Sequence, residues 1–491
     1  MAFGDLTKNI FNKVVGFMSN FFNSGTSTEE QTRSLVSSEM SNAIEGWMNL
    51  YIGQAPWLAK NKQSLGLPAA VASEIARLVT LEMKVEVKCP AKLKEDGTTE
   101  EIVGAMTERA EYLNKQLEPF IENIRLYCEY ACAGGGLMIK PYVVDETIAI
   151  DCVQATDFLP LTFNSRGKIT ASDFAEHKKQ GSHFYHRVER HEFKNGINTV
   201  TNKAYRSSSI TDRGTEVNLT EVPEWAELSP KQDIANTNQP LFAYFRIPLG
   251  NTIDPTSPLG VSVYARATNL IEDADKQYQR FLWEFEGGEL AIEASKEMFP
   301  TDKKGKPIIP EGKERLFRPN ELDASAPGNE LIKTFSPALR EVALKSGLNT
   351  ILQKIEFNTG LAYGTLSDPQ TVDKTATEIK TSKQRSYSTI TDIQRALQAA
   401  IEDLVYAMDV YATLYSLAPQ GEYEVNCVWD DSIIVDAEAE RSRDMNEVRM
   451  GLMQKWEYRV KWYGEDEATA KQVIADQEAE KAKNQNAFGL S

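Results

Sequence analysis

All four histidines of the chain, His177, His183, His186 and His191, fall within one short segment. Such a grouping is what a metal site or a general base would draw on. Strand alternation works against a shared site, because His183 and His191 have the same parity and His186 the opposite one. Surface positions on a hairpin are the expectation, and no metal ligand is assigned. Cys128 and Cys132 sit four apart on a predicted helix. No second pair of Cys or His is spaced to complete a zinc site, so they read as small buried hydrophobes. Gly134-Gly135-Gly136 suggests a phosphate cradle, but no Gly-Lys-Ser/Thr follows and the glycines come after a helix. A helix C-cap running into a strand is expected instead. The chain has no Walker motif, nucleophile elbow or His-Glu-x-x-His pattern, so no catalytic residue and no cofactor is assigned.

The elements around these residues are legible from periodicity. A helix over about Ala69–Thr80 precedes a short strand at Lys84–Val87. Another helix is predicted over Thr107–Cys132, and strands at Leu137–Val144 and Thr147–Val153 follow the glycines. Asn195-Gly196 between Tyr185–Phe193 and Ile197–Tyr205 is a strong hairpin signal. From Val261 to Phe285 an apolar stripe (Tyr264, Ala267, Leu270, Ile271, Ala274, Tyr278, Phe281, Phe285) marks a helix. Its opposite face is expected to carry Glu272, Asp273, Asp275 and Lys276. Leu344, Leu348, Ile351 and Ile355 mark a second helix. Ile390, Ile393, Leu397, Ile401, Leu404, Met408 and Tyr411 mark a third, and a helix over Asp373–Leu417 would run roughly 65 Å. Gly360, Gly364 and Pro369 keep the last two from being continuous. Between the first two, residues 289–335 read as short β-like pieces among lysine-rich turns. Glu422–Trp429 alternates as a strand that would rejoin the earlier sheet, and Asp436–Asn484 is helical with a break at Gly464.

With 491 residues, 41% hydrophobic and 25% charged, the composition is that of a soluble globular protein with two to four domains. There is no run of eighteen apolar residues, hence no membrane span is expected. Met1–Phe22 is amphipathic, but only Lys8 and Lys13 supply positive charge, so docking on a neighbouring subunit or partial disorder is favoured over a membrane surface. This segment does not read as a signal peptide. Five cysteines (also Cys89, Cys152 and Cys427) without framework spacing fit a reducing cytoplasm. The net charge of −17 argues against a protein that grips DNA by neutralising phosphates.

Lys374-Thr375-Ala376-Thr377-Glu378-Ile379 before the long helix resembles the portal proteins of tailed bacteriophages, of the type found in siphophages and prophages of Gram-positive hosts. Trp47, Leu50-Tyr51, Gly53 and Pro56-Trp57 are similar to that family's opening pattern. Ala133 to Gly136, Lys140 to Val143, Gln154-Ala155 and Pro160 to Phe163 follow in its order and spacing. The resemblance covers roughly Met40 to Ile434.

It implies an α+β portal fold with an α/β wing, two-helix stem, small α/β clip, long wing helix and helical crown, assembled as a ring. The implied divisions are 1–258 for the arm and wing, 259–288 for the first stem helix and 289–335 for the clip. The second stem helix would be 336–360, the tunnel loop 361–373, the long wing helix with its returning strand 374–434, and the crown with its tail 435–491. The implied function is a channel at one capsid vertex through which double-stranded DNA is packaged and ejected. It is not enzymatic, since ATP hydrolysis belongs to the docked terminase. A ring of twelve copies would carry on the order of −200 charges, and an acidic wall repels a passing duplex. Gly364, Thr365, Leu366, Ser367, Asp368, Pro369, Gln370, Thr371 and Lys374 would form a flexible, weakly polar DNA-touching tip. Lys345 and Lys354 on the preceding helix would form positive rings. Lys303, Lys304, Lys306, Glu311 and Lys313 of the clip would face the motor and later the adaptor. Implied partners are identical subunits, double-stranded DNA without sequence preference, the terminase large subunit, the major capsid and scaffolding proteins, and a head-completion adaptor. No membrane partner is implied. The implied location is the virion vertex, with assembly in the host cytoplasm. The other class weighed is an acidic oligomeric scaffold that never contacts DNA. It explains the helices but not the glycine–proline linker or the insert. A metal-dependent hydrolase using the histidines is a weaker third.

Overall fold

Ser37 Oγ accepts the amide of Met40 at 3.3 Å and starts helix α1, Ser38–Tyr51. The structure is a computed structural model that describes residues 36–58, 63–90, 92–93, 99–100, 105–210, 212–311, 316–320, 332–368, 376–429 and 437–488. The amphipathic Met1–Phe22 segment lies outside them. Two compact units result, residues 1–427 and 428–491.

Helix α2, Leu67–Thr80, carries Pro68 in its first turn, where a missing N–H costs nothing. Strands β1 (Lys84–Lys88), β2 (Lys92–Leu93) and β3 (Thr99–Glu100) follow, then helices α3 (Ala105–Glu122) and α4 (Ile124–Gly134). The single helix expected over Thr107–Cys132 is therefore two. Pro119 sits inside α3, and Asn123 Nδ2 donates to its carbonyl at 3.0 Å. That side chain competes for the acceptor the helix ladder needs, so the helix breaks there.

Gly135 ends α4 in the left-handed conformation, φ 88°, its N–H donating to the Ala131 carbonyl. A Cβ there would lie 2.7 Å from the Gly260 oxygen. The glycine triplet thus serves as a C-cap and a close crossing, as expected. Strand β4 (Gly136–Val144) is central in the order β12–β4–β5, with β5 at Thr147–Gln154 and β12 at Ala243–Arg246. A larger antiparallel sheet comprises β6 (Phe158–Phe163), β7 (Ile169–Gln180), β8 (His183–Lys194), β9 (Ile197–Ser207) and β10 (Thr215–Val217). Strand β11 (Lys231–Ala235) also pairs with β9. Asn195 and Gly196 turn β8 into β9 with φ 52° and 77°, the backbone the hairpin signal demands.

Helix α5, Thr268–Gly287, packs antiparallel against α6, Glu341–Thr359. Between them lies a three-stranded sheet, with β13 (Ala291–Ser295) central, parallel to β14 (Phe317–Asn320) and antiparallel to β15 (Ile332–Phe335). Helix α7, Ala376–Leu414, has 39 residues and is about 58 Å long. Its stripe Ile390, Ile393, Leu397, Ile401, Leu404 and Met408 is buried, packing on β4, β12 and α2. Each such side chain contributes about 1.5–3 kcal/mol. Strand β16, Glu424–Val428, pairs with β1 in a separate two-stranded sheet, not with the larger one. The second unit contains α8 (Ala437–Met450), α9 (Lys455–Tyr463) and α10 (Glu467–Phe488). It breaks at Gly451 as well as at the expected Gly464. The fold is mixed helix and sheet, in line with the α+β expectation.

Candidate functional site

The apolar stripe of α6 has a polar neighbour row. Lys345, Asn349 and Glu356 are four and seven residues apart, so they leave the helix within about 40° of one another. Glu356 and Asn349 are buried, although both are polar. A buried carboxylate needs donors, and here the chain supplies them by doubling back along the helix. Glu356 Oε1 accepts the amides of Gly364 (3.1 Å), Leu366 (2.6 Å) and Ser367 (2.8 Å). Its Oε2 accepts from Ser367 Oγ at 2.9 Å. One step further back, Asn349 Oδ1 accepts the Asp368 amide at 2.7 Å. Further still, Lys345 Nζ stands 3.5 Å from Asp368 Oδ2.

The far side of the linker is held from α7. Arg385 Nη2 donates to the Leu361 carbonyl at 3.3 Å, and the guanidinium lies 4.4 Å from the Phe357 ring centre and 5.5 Å from that of Tyr363. Gly360, which ends α6 at φ 78°, makes this approach possible: a Cβ would fall 2.6 Å from Thr389 Oγ1.

The expected linker residues are thus placed only in part. Gly364, Thr365, Leu366, Ser367 and Asp368 come together against α6, and the described half is pinned where a flexible tip was expected. Composition favoured flexibility, but the buried acceptors of α6 override it. Pro369, Gln370, Thr371 and Lys374 lie outside the described residues. Lys345 and Lys354 are not brought together. Nine residues is two and a half turns, so they leave opposite faces of α6. Lys345 faces Asp368, and Lys354 is exposed.

In the insert, Asp302 Oδ1 accepts the amides of Lys304 and Lys306, both at 2.8 Å. Lys303, Lys304 and Lys306 thereby crowd one exposed turn, and Glu311 is exposed nearby in sequence. Lys313 lies outside the described residues.

Two carboxylates of α5 anchor it, one to the segment before α2 and one to the start of α6. Asp275, expected on the polar face of α5, is fully buried: it accepts from Trp57 Nε1 (3.0 Å), Ser64 Oγ and the Leu65 amide (2.7 Å). Glu284 takes Arg340 through Nε (3.0 Å), Nη2 (2.7 Å) and the backbone amide (2.9 Å). Sequence reasoning missed Glu356, Asn349, Arg385, Asp275 and Glu284. The usable signal was an acid standing one turn after an apolar residue of the same helix, as Asp275 follows Ile271 and Glu356 follows Leu352.

The tempting chemical residues resolve differently. His177 and His186 are cross-strand partners, with Nδ1 atoms 2.8 Å apart. Parity on one strand could not reveal this, because His177 belongs to the neighbouring strand. Burial, then His186, pushes the His177 imidazole down to about 3. His191 Nε2 meets Glu189 Oε1 at 2.5 Å, and Glu189 also holds Lys140 at 2.9 Å. Burial raises the Glu189 carboxyl, but Lys140, His191 and Arg187 around it outweigh that and hold it well below the usual range. Among the described residues no group of three or more His, Cys, Asp or Glu could hold a metal ion. Cys128 and Cys132 are buried and free, as expected.

The family model described as phage portal protein, SPP1 Gp6-like, matches residues 110–487 of the chain. The chain belongs to this portal family. The match takes in α5, the insert, α6, the pinned linker and α7. The N-terminal pattern from Trp47 to Trp57 precedes it, yet is built into the same framework: Tyr264 Oη donates to the Trp47 carbonyl at 2.9 Å, and Trp57 ends on Asp275. No curated protein matches the chain. Portal proteins of this family are structural components of the phage. Among the described residues no helix is long and apolar enough to cross a membrane.

Proposed function

We propose that copies of this chain close into a ring-shaped channel at one capsid vertex, through which double-stranded DNA is packaged and later ejected. In this reading α5 and α6 are the stem, and residues 289–335 are the clip that docks the terminase large subunit and then a head-completion adaptor. Residues 361–373 are the tunnel loop, 374–434 the long wing helix and returning strand, and 435–491 the crown. Residues 1–258 supply the arm and wing, which meet capsid and scaffolding proteins. Assembly takes place in the host cytoplasm, and the finished ring resides in the virion.

The observation that carries the reading is the family match across the stem, insert and linker. Agreeing with it, a polar insert projects from one end of an antiparallel helix pair while the linker returns along the other. The net charge of −17 per chain gives a ring a repulsive wall for DNA, which suits sliding better than gripping. Gly364 to Thr371 and Lys374 are assigned to the DNA-facing loop. Lys354 is assigned to the channel wall, while Lys345 serves chiefly to hold Asp368.

Electron microscopy of the purified protein viewed end-on tests the ring. Closed rings with a hole of about 20 Å or more admit a duplex. Monomers that stay open even with scaffold and capsid proteins co-expressed would refute it. Removing Gln370–Asp373 tests the loop: rings should form and packaging should stop.

A further inference from the structure

We propose that Glu356 is a positioning residue that sets where along the stem the tunnel loop leaves it; this rests on the channel reading of that loop. A carboxylate buried without a cation is costly, so its donors must be part of the design of the fold. Glu356 is fully buried and takes four donors, three of them consecutive-stretch backbone amides converging on one oxygen. Such a concave set of amides is an anion nest, here filled by a side chain of the same protein. Gly364 supplies the first amide at φ 89°, a conformation open to glycine.

The nest is one rung of a ladder. Glu356 holds Gly364 to Ser367, Asn349 holds the Asp368 amide, and Lys345 pairs with the Asp368 carboxylate. As the loop advances in sequence its partners recede along α6, from 356 to 349 to 345. From Thr359 at the end of α6 back to Lys345 is about 21 Å of helix at 1.5 Å per residue. Asp368 is therefore held well back along the stem, and that height is fixed by which α6 residues accept the amides of 364–368. Arg385 on α7 fixes the opposite root at Leu361. A shift of α6 would carry residues 364–368 with it.

Glu356→Gln keeps an acceptor for the three amides and offers a donor to Ser367 Oγ. Glu356→Leu keeps the volume and removes every acceptor. Hydrogen exchange of assembled rings, read on peptides covering 361–368, should accelerate at least tenfold in the Leu variant and less than about threefold in the Gln variant. Packaged DNA per head should follow the same order, with ring symmetry unchanged. Unchanged exchange in the Leu variant overturns the proposal. So does loosened exchange with normal packaging, when the variant lacking Gln370–Asp373 is blocked. Normal packaging by that shortened variant instead removes the channel reading, and exchange alone then decides whether Glu356 holds the root. If Glu356→Leu forms no rings, Asn349→Leu is used, with the same tenfold expectation at the Asp368 amide and the same overturning outcome.

Discussion

Glu284 and Arg340 close the two ends of the insert on each other. Glu284 lies in the last turn of α5, and Arg340 immediately precedes α6. Three hydrogen bonds of 2.7–3.0 Å join them across 56 residues. A bidentate guanidinium–carboxylate contact and one backbone hydrogen bond thereby close the root of the insert.

Arg340→Ala should loosen that root. Hydrogen bonding from Arg340 draws the Glu284 carboxyl down to about 2. A depressed acid stabilises the fold above its unfolded value, and that stabilisation fades as pH falls from about 4.5 towards 2. At neutral pH the substitution should speed trypsin cleavage at Lys303–Lys306 several-fold, seen by gel. At pH values near 2 wild type and variant should converge in stability.

Asp275→Ala leaves Trp57, Ser64 and Leu65 donors without their acceptor in a buried place, at about 2–4 kcal/mol. Trp57→Phe, which removes one donor only, should cost about 1 kcal/mol through the hydrogen bond. Denaturant unfolding separates the two. Equal costs would mean that Asp275 acts through the indole alone.

The paired histidines predict an acid-sensitive larger sheet. His177 is neutral when folded and takes a proton readily when unfolded, so the unfolded state binds more protons below about pH 6.5. Stability should therefore fall as pH drops from 6.5 to 5, by up to about 2 kcal/mol from this group. His177→Asn should flatten the thermal-melt profile over that window.

Gly360→Ala should cost about 1–3 kcal/mol, because it combines a left-handed backbone with a contact on Thr389. Thr389→Ala removes the nearest atoms and should recover part of the loss in the double variant, leaving the backbone strain.

Reversing Lys303, Lys304 and Lys306 to Glu changes the exposed turn by six charges without touching a buried group. Ring formation should be normal, and terminase-dependent packaging should drop more than tenfold. Normal packaging would show that the motor docks elsewhere.

Much of the fold could be read from the chain because its signals are local. Asn195-Gly196, the glycines after Ala133 and the stripe of α7 each act through neighbours in sequence. The break at Asn123 escaped because the competing acceptor, the Pro119 carbonyl, matters only once the helix exists. The His177–His186 pair escaped because strand register joins residues that parity along one strand cannot compare. The linker misled most: Gly, Ser, Thr and Pro read as freedom, yet Glu356 and Asn349 on the preceding helix capture its amides. Asp275, expected on the polar face of its helix, and Glu356, which no periodicity singles out, are both buried.

Strand β16 joins β1 across 340 positions, from 84 to 424. Helices α5 and α6, the insert, the linker and the long helix α7 all fall between the two strands of one small sheet. During synthesis β1 emerges early and waits for its partner until nearly the whole chain has left the ribosome. Until then its edge has no β16 to pair with. The short, charged sequence of β1, Lys84-Val85-Glu86-Val87-Lys88, suits such a wait, since edge charges discourage premature strand pairing.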